Sequence, residues 1–207
     1  MMNEMFMLNL PYVIAFSFAM ARPELYFPAR SQWRKWLLKN HATTPGGVYL
    51  IFYRVDSPHP SMRWEEAVQE ALCFGWIDST VKKIDDERRR QIFCPRKKKG
   101  TWSKVNKGHI EELERDGLMH ESGRAVIEAA KHDGSWFSLD AVEAGIVPNE
   151  LQKAFEANPE AFENFRNFTK GQRKSYLYWL QQAKREETRK KRIAEIVKCC
   201  AENKKQR

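Results

Sequence analysis

Hydrophobic residues in the first two thirds of the chain follow two spacings, one typical of strands and one typical of helices. Val48–Tyr53 is an unbroken apolar run, which predicts a strand covered on both faces. Trp76–Ile84 and Arg90–Pro95 are rich in strand-forming residues, and the acidic segment 85–87 between them predicts a hairpin turn. Segments with helical spacing surround these strands. The pattern therefore predicts an α+β domain at 22–134, with a small antiparallel sheet and flanking helices.

Beyond a loop near 135–148, only helical spacing continues. Asn158 followed by Pro159 is typical of a helix start, because proline suits the first helical position. Aromatic and aliphatic residues then recur at helical intervals with no strand signal among them. The sequence therefore predicts an all-helical C-terminal unit at 148–202, followed by a basic tail at 203–207.

Residues 1–21 are apolar, and we interpret them as lying outside this fold. Their end, Ala19–Ala21, resembles a signal-peptide cleavage site, but the segment contains Glu4 and no Lys or Arg. Pro11 interrupts the run, which is also too short for a transmembrane span. We therefore predict a dispensable leader or an overcalled start, with translation beginning at Met20 in a cytoplasmic protein. The alternative is a cleaved signal peptide and a periplasmic protein.

The overall composition indicates a globular protein without a metal site. Of the 207 residues, 42% are hydrophobic, which is enough to bury a core and excludes a disordered chain. The four cysteines and five histidines lack the spacing of a zinc site. We therefore expect reduced thiols, no bound metal and no cofactor.

Positive charge is concentrated in two segments of the chain. The net charge is +9, and residues 82–108 hold eleven Lys or Arg against three acidic residues. Residues 184–207 hold ten Lys or Arg against four acidic residues, and the remaining chain is mildly acidic. We interpret the second segment as a solvated helix and tail. The first segment also contains aromatic residues, which favours nucleic acid or a phosphorylated small molecule as the partner.

The segment after the hairpin combines several groups that can hold an anion. Arg96 can form a forked pair with a phosphate, and Lys97 adds positive potential. Trp102 can stack on a base or sugar. Ser103 caps the next helix, whose N–H groups can bind an anion together with the amide of Asn106. The alternative is a core tryptophan, a simple helix cap and solvated lysines.

The first strand of the hairpin adds three candidate residues. A period of two places Trp76, Asp78 and Lys82 on one face, next to this segment. Asp78 could act as a general acid or base, or orient Lys82 or Arg96. The structural alternative is an ion pair with a nearby arginine or a cap on a backbone amide. We predict no catalytic residue, because no second carboxylate or histidine accompanies Asp78.

Several motifs together resemble the YdeI/OmpD-associated family, also called bacteriocin-protection proteins. Three of them are Glu70–Ser79, Phe93–Lys97 and Trp102–Asn106, and the fourth is the helical stretch Tyr176–Ile193. The resemblance extends over Glu24–Val197. It implies the family's characteristic helical domain and a bacterial role in stress resistance, including resistance to bacteriocins. It assigns no catalytic residue.

These observations predict a non-enzymatic protein that binds an anionic ligand, either nucleic acid or a phosphorylated metabolite. One alternative is an enzyme in which Asp78 is the acid or base and Arg96 anchors the substrate. Another is a protein-interaction module that uses the basic C-terminal helix as its contact surface. The sequence does not indicate the oligomeric state.

Overall fold

The computed structural model describes residues 22–205 of the protein. The leader or overcalled start predicted at 1–21, and with it the compartment prediction, lies outside this range. The last two residues of the predicted basic tail also lie outside it. No helix within the described range is both long and apolar enough to cross a membrane.

Four strands form a single mixed sheet in the order β1-β2-β4-β3. The strands are β1 (Glu24–Tyr26), β2 (Val48–Tyr53), β3 (Trp76–Lys83) and β4 (Arg88–Pro95). The last three pair antiparallel, and β3 and β4 form the predicted hairpin. The sequence did not predict β1, which pairs parallel with β2 at the edge of the sheet. Three residues are too few for the alternation that identifies a strand.

Helices make up most of the remaining described chain, and the predicted α+β class is confirmed. The N-terminal part contains α1 (Arg30–Asn40), α2 (Trp64–Cys73), α3 (Lys104–Arg115) and α4 (Glu121–His132). A short 3-10 helix at Ser135–Phe137 and α5 (Asp140–Glu143) occupy the segment predicted as a loop. The C-terminal part contains α6 (Asn149–Glu156), α7 (Pro159–Asn167), α8 (Lys170–Gln181) and α9 (Glu186–Ala201).

Two hydrophobic cores form in the described chain, one around the sheet and one among the C-terminal helices. In the first, Trp33 of α1 packs edge-on against Trp76 and Phe93, with ring centroids 6.3 and 5.9 Å away. In the second, Phe155 packs against Phe165, with ring centroids 5.0 Å apart. The first core covers one face of the sheet, so the side chains on the opposite face are free to line a site.

Candidate functional site

A cleft of about 700 Å³ lies between the sheet and the C-terminal helices. The sheet contributes the side chains that alternate with the buried ones, including Ile77 and Cys94, while α5 and α8 contribute Glu143, Lys174 and Tyr178. The volume is that of a small-molecule site. Its charged lining residues are Arg22, Asp78, Arg96, Lys97, Glu143 and Lys174.

Arg96 is the least satisfied charged group in this cleft. Its guanidinium carbon lies 3.6 Å from the ring centroid of Trp102, and its Nη1 donates to the Thr101 carbonyl at 3.1 Å. The Nε atom is buried and has no hydrogen-bond partner in the described chain. No carboxylate within residues 22–205 forms an ion pair with this guanidinium, although Asp78 is near enough to attract it. Arg96 is therefore held in place by an indole and a carbonyl.

Burial changes the protonation equilibrium of Arg96. Loss of solvent lowers its pKa from 12.5 to about 10, and the attraction of Asp78 only partly opposes this shift. A desolvated cation without a counter-ion costs free energy, because its hydration is not replaced. A bound anion would supply the missing partner. Arg96 therefore has the properties of an anion receptor.

The turn after Arg96 adds further positive charge at the mouth of the cleft. Lys97 is exposed and forms no ion pair within the part of the chain that the structure describes. Gly100 N–H donates to the Lys97 carbonyl at 3.2 Å and closes the turn. Lys99 has a φ of 59°, a left-handed conformation that costs a non-glycine residue about 1–2 kcal/mol. Such strain concentrates at functional sites.

Helix α3 starts at the cleft, but two of its N-terminal amides already have hydrogen-bond partners. Ser103 is the N-cap, as predicted, and its hydroxyl accepts the Asn106 N–H at 3.2 Å. The Lys104 N–H points to a carboxylate oxygen of Glu143 at 3.4 Å, across the boundary between the two cores. Ser103 and Asn106 line the cleft with their side chains, but the predicted role of free helix amides is replaced by this internal carboxylate.

Asp78 lines the same cleft and is held by two donors. Its Oδ2 accepts the Gln91 amide at 2.6 Å and the Trp64 indole N–H at 3.1 Å. It forms no ion pair within the described residues, so the ion pair with an arginine, one of the structural alternatives, is not present there. One carboxylate oxygen of Asp78 is therefore occupied by hydrogen bonds within the fold. The negative charge attracts Arg96 without forming an ion pair with it.

Comparisons with known proteins identify the C-terminal region. Residues 144–203 match the family model described as bacteriocin-protection, YdeI or OmpD-associated. The chain therefore carries a YdeI/OmpD-associated domain. Residues 25–126 match another family model, a domain of unknown function (DUF8412). No curated protein and no solved structure matches the chain.

The YdeI/OmpD-associated domain confirms the family resemblance and locates it in the chain. The matched residues extend over α6 to α9 and include the helical motif that carried the resemblance. The three earlier motifs, between Glu70 and Asn106, lie in the segment of unknown function instead. Of the cleft, the YdeI/OmpD-associated domain supplies Lys174 and Tyr178.

Three of the predicted ligand-binding residues do not line the cleft, namely Trp76, Lys82 and Trp102. Trp76 is only 1% exposed and packs against Trp33 and Trp36 in the core. Trp102 is 3% exposed, and the Arg96 guanidinium lies over its ring, so the predicted stacking on a base is wrong. Its role is to hold Arg96.

Lys82 is displaced by an irregularity in β3. A register shift between Asp78 and Val81 inserts one extra residue, because Asp78 pairs with Phe93 but Lys82 pairs with Arg90. A shift by one residue reverses the faces of all following side chains. Lys82 therefore lies on the opposite face from Asp78, the face of Ile92 and Cys94. It pairs with Arg90, farther along the hairpin than the residues that line the cleft.

The sequence did not indicate the cleft residues that come from segments distant along the chain. Arg22 precedes the first strand, donates through Nε to the Gly46 carbonyl at 2.6 Å and forms no ion pair in the described range. Lys174 and Tyr178 lie one helical turn apart on α8. Only this spacing of four was visible in the sequence, and it did not indicate which surface the helix would face.

The Glu143–Lys174 ion pair joins α5 and α8 on the helical side of the cleft and should depend on pH. Burial acts to raise the pKa of Glu143, but hydrogen bonds from Lys174 at 2.6 Å and from the Lys104 N–H outweigh it, so the pKa lies below 4.5. The ionised carboxylate therefore stabilises the folded state above pH 4.5, and this stabilisation is lost as the pH falls through the folded-state pKa.

We expect Glu143→Gln to lower the melting temperature at about pH 7, and to lower it much less at about pH 3. Thermal unfolding of both proteins at both pH values measures this difference. Glu111→Gln, at an exposed position of α3 without an ion pair in the described chain, is the control and should show no such trend. An equal loss at both pH values would show that the charge of Glu143 contributes nothing.

Proposed function

We propose that the protein binds a phosphorylated ligand in the cleft between the sheet and the C-terminal helices. The observation that carries this proposal is Arg96, a partly buried guanidinium with an unpartnered Nε and no ion pair in the described chain. Native proteins rarely leave such a group unsatisfied. A phosphate accepts hydrogen bonds from the forked donors of an arginine with good geometry, so it matches this group chemically.

The other charges of the cleft support the same ligand. Arg22, Arg96 and Lys97 have no carboxylate partner within residues 22–205, whereas Lys174 is neutralised by Glu143. The excess of unpaired cations favours an anion over a neutral or cationic molecule. The side chains of Ser103 and Asn106 add neutral donors at the same cavity. The phosphate could belong to a small metabolite or to the end of a single-stranded nucleic acid.

Calorimetric titration tests the proposal with three probes: inorganic phosphate, AMP and a 5′-phosphorylated single-stranded oligonucleotide. We expect saturable binding that weakens as salt is added. Arg96→Gln should weaken it by about tenfold or more, because a hydrogen bond to a charged group is lost. Lys190→Gln removes the same charge from an exposed position of α9, outside the cleft, and should leave the affinity unchanged.

The three probes also separate the two sources of the phosphate. Tighter binding of AMP than of the oligonucleotide would support a metabolite, and the reverse order would support nucleic acid. Equal weakening by Arg96→Gln and Lys190→Gln would contradict the cleft as the binding site. Absence of binding to every probe at low salt would overturn the proposal and leave a protein-interaction module as the better interpretation.

An enzyme that uses Asp78 as acid or base is the second candidate, because Asp78 and Arg96 line the same cleft. The variant Asp78→Asn distinguishes an enzyme from a protein that only binds phosphate. Asparagine keeps an oxygen that can accept from Gln91 and Trp64, since both donate to one oxygen, so the fold should be retained. A pure binder should then bind phosphate more tightly, by about two- to fivefold, because a like charge is removed. Loss of turnover of a bound phosphorylated ligand would instead support the enzyme.

The cellular role and the compartment are proposed on separate grounds. The family description supports a bacterial role in protection against bacteriocins or in stress resistance. The four cysteines are free thiols, which are typical of a reducing compartment and support a cytoplasmic location. A bacteriocin-sensitivity assay on cells lacking the protein, complemented by wild type or by Arg96→Gln, would connect this role to the cleft.

A further inference from the structure

A second cavity, of about 460 Å³, lies against the other side of the Arg96 segment. It shares three lining residues with the cleft, namely Arg96, Lys97 and Gly100. The turn that closes between Lys97 and Gly100 is therefore a wall common to both cavities. A ligand whose anionic group binds Arg96 would therefore have to extend past only this turn to enter the second cavity.

The two cavities differ in chemistry. The floor of the second cavity is apolar and consists of one face of α4 together with the Trp102 indole. Four of its five residues on α4 have small side chains, so the helix surface leaves room for an occupant. These four are Ala125, Val126, Ala129 and Ala130, and the fifth is His132. Ala125 and Ala129 are exposed, although apolar surface of this kind gains free energy when it is covered.

The rim of the second cavity carries a strong positive charge. Lys97, Lys98 and Lys99 line it, and none of them forms an ion pair within residues 22–205. Asp133 is the acidic residue of the rim, and its carboxylate accepts the Ser135 N–H at 2.9 Å. An apolar floor below a basic rim fits a molecule that combines an apolar group with a negative charge.

We propose that the second cavity receives the apolar part of the ligand whose anionic group Arg96 binds in the cleft. This inference rests on the proposed function and narrows the ligand to an anion with an apolar arm. Arg96 lines both cavities and would bind the anionic group at their junction. The arm would lie beyond the Lys97–Gly100 turn, on the small residues of α4.

Three probes test the inference by calorimetry: methyl phosphate, octyl phosphate below its micellar concentration, and the uncharged octyl glucoside. We expect octyl phosphate to bind at least about tenfold more tightly than methyl phosphate, a gain that burial of about two methylene groups supplies. Octyl glucoside should not bind measurably. Ala129→Leu fills the floor of the cavity and suits a helix, so it should remove the gain while leaving the affinity for methyl phosphate unchanged.

Ala194→Leu, at an exposed position of α9 outside both cavities, is the matched control and should keep the gain. Equal binding of methyl and octyl phosphate would overturn the apolar compartment and leave the anion site intact. Binding of octyl glucoside as tight as that of octyl phosphate would also overturn it, because the arm would then bind without Arg96. Failure of all three probes to bind would count against the proposed function itself.

Discussion

Replacement of Glu70 by alanine is expected to lower the free energy of unfolding by about 3 kcal/mol, the lower end of the cost of breaking a buried ion pair. Glu70 is 2% exposed, and its carboxylate pairs with Arg34 at 2.7 Å and with Arg30. Burial alone would lower the pKa of Arg34, but hydrogen bonds to Glu70 and Cys73 raise it instead. The alanine variant leaves both guanidiniums without their carboxylate.

Chemical denaturation of wild type and variant measures this effect. Glu128→Ala is the control, because Glu128 forms an exposed pair with Lys131 at 2.8 Å. Removal of an exposed pair should change the free energy of unfolding by no more than about 0.5 kcal/mol. Similar losses in the two variants would show that the buried triad has no special role in stability.

Gly123→Ala should also destabilise the fold, by about 1–3 kcal/mol, although alanine is the better helix former. Gly123 lies in the first turn of α4, where that helix crosses the end of α2. A Cβ at this position would lie 2.2 Å from the carbonyl oxygen of Cys73. The contact is with backbone, so a rotamer change cannot relieve it and the helices must separate.

A second glycine provides a control with the opposite sign. Gly108 lies inside α3, and a Cβ there meets no atom within 4 Å among the described residues. Gly108→Ala should therefore stabilise the protein by about 0.5–1 kcal/mol through helix propensity alone. Thermal unfolding of the two variants gives the comparison. Stabilisation by both substitutions would show that α4 does not approach α2 as closely as the structure indicates.

The secondary structure was predictable where the local signal is long and regular. Val48–Tyr53 is a strand with the predicted bounds, and Asn158 is the N-cap of α7. The failures have physical causes. Strand β1 has three residues and exists through its pairing with β2, a contact that no local pattern contains. The 3-10 helix and α5 have three and four residues, and the packing of Trp136 on Trp102 helps to position them.

The candidate site was predictable only within one continuous segment. Arg96, Lys97, Ser103 and Asn106 are close in sequence and line the same cleft. The pattern of basic and aromatic residues did not show whether the Trp102 ring contacts a ligand or packs under an arginine. The ring was therefore interpreted as a stacking surface, although it packs under Arg96. The Glu143 carboxylate at the start of α3 comes from another core, and its position depends on tertiary packing.

The most direct measurement of the central claim is the Nε–H signal of Arg96 in a ¹⁵N-edited NMR titration with phosphate. We expect a separate Nε–H signal, because this atom is buried and has no partner within residues 22–205, and a saturable shift when the phosphate binds. The Arg34 Nε–H signal, from a guanidinium already paired with Glu70, should remain unchanged. A titration in which phosphate shifts only exposed lysine signals, and leaves Arg96 unmoved at saturation, would contradict the account.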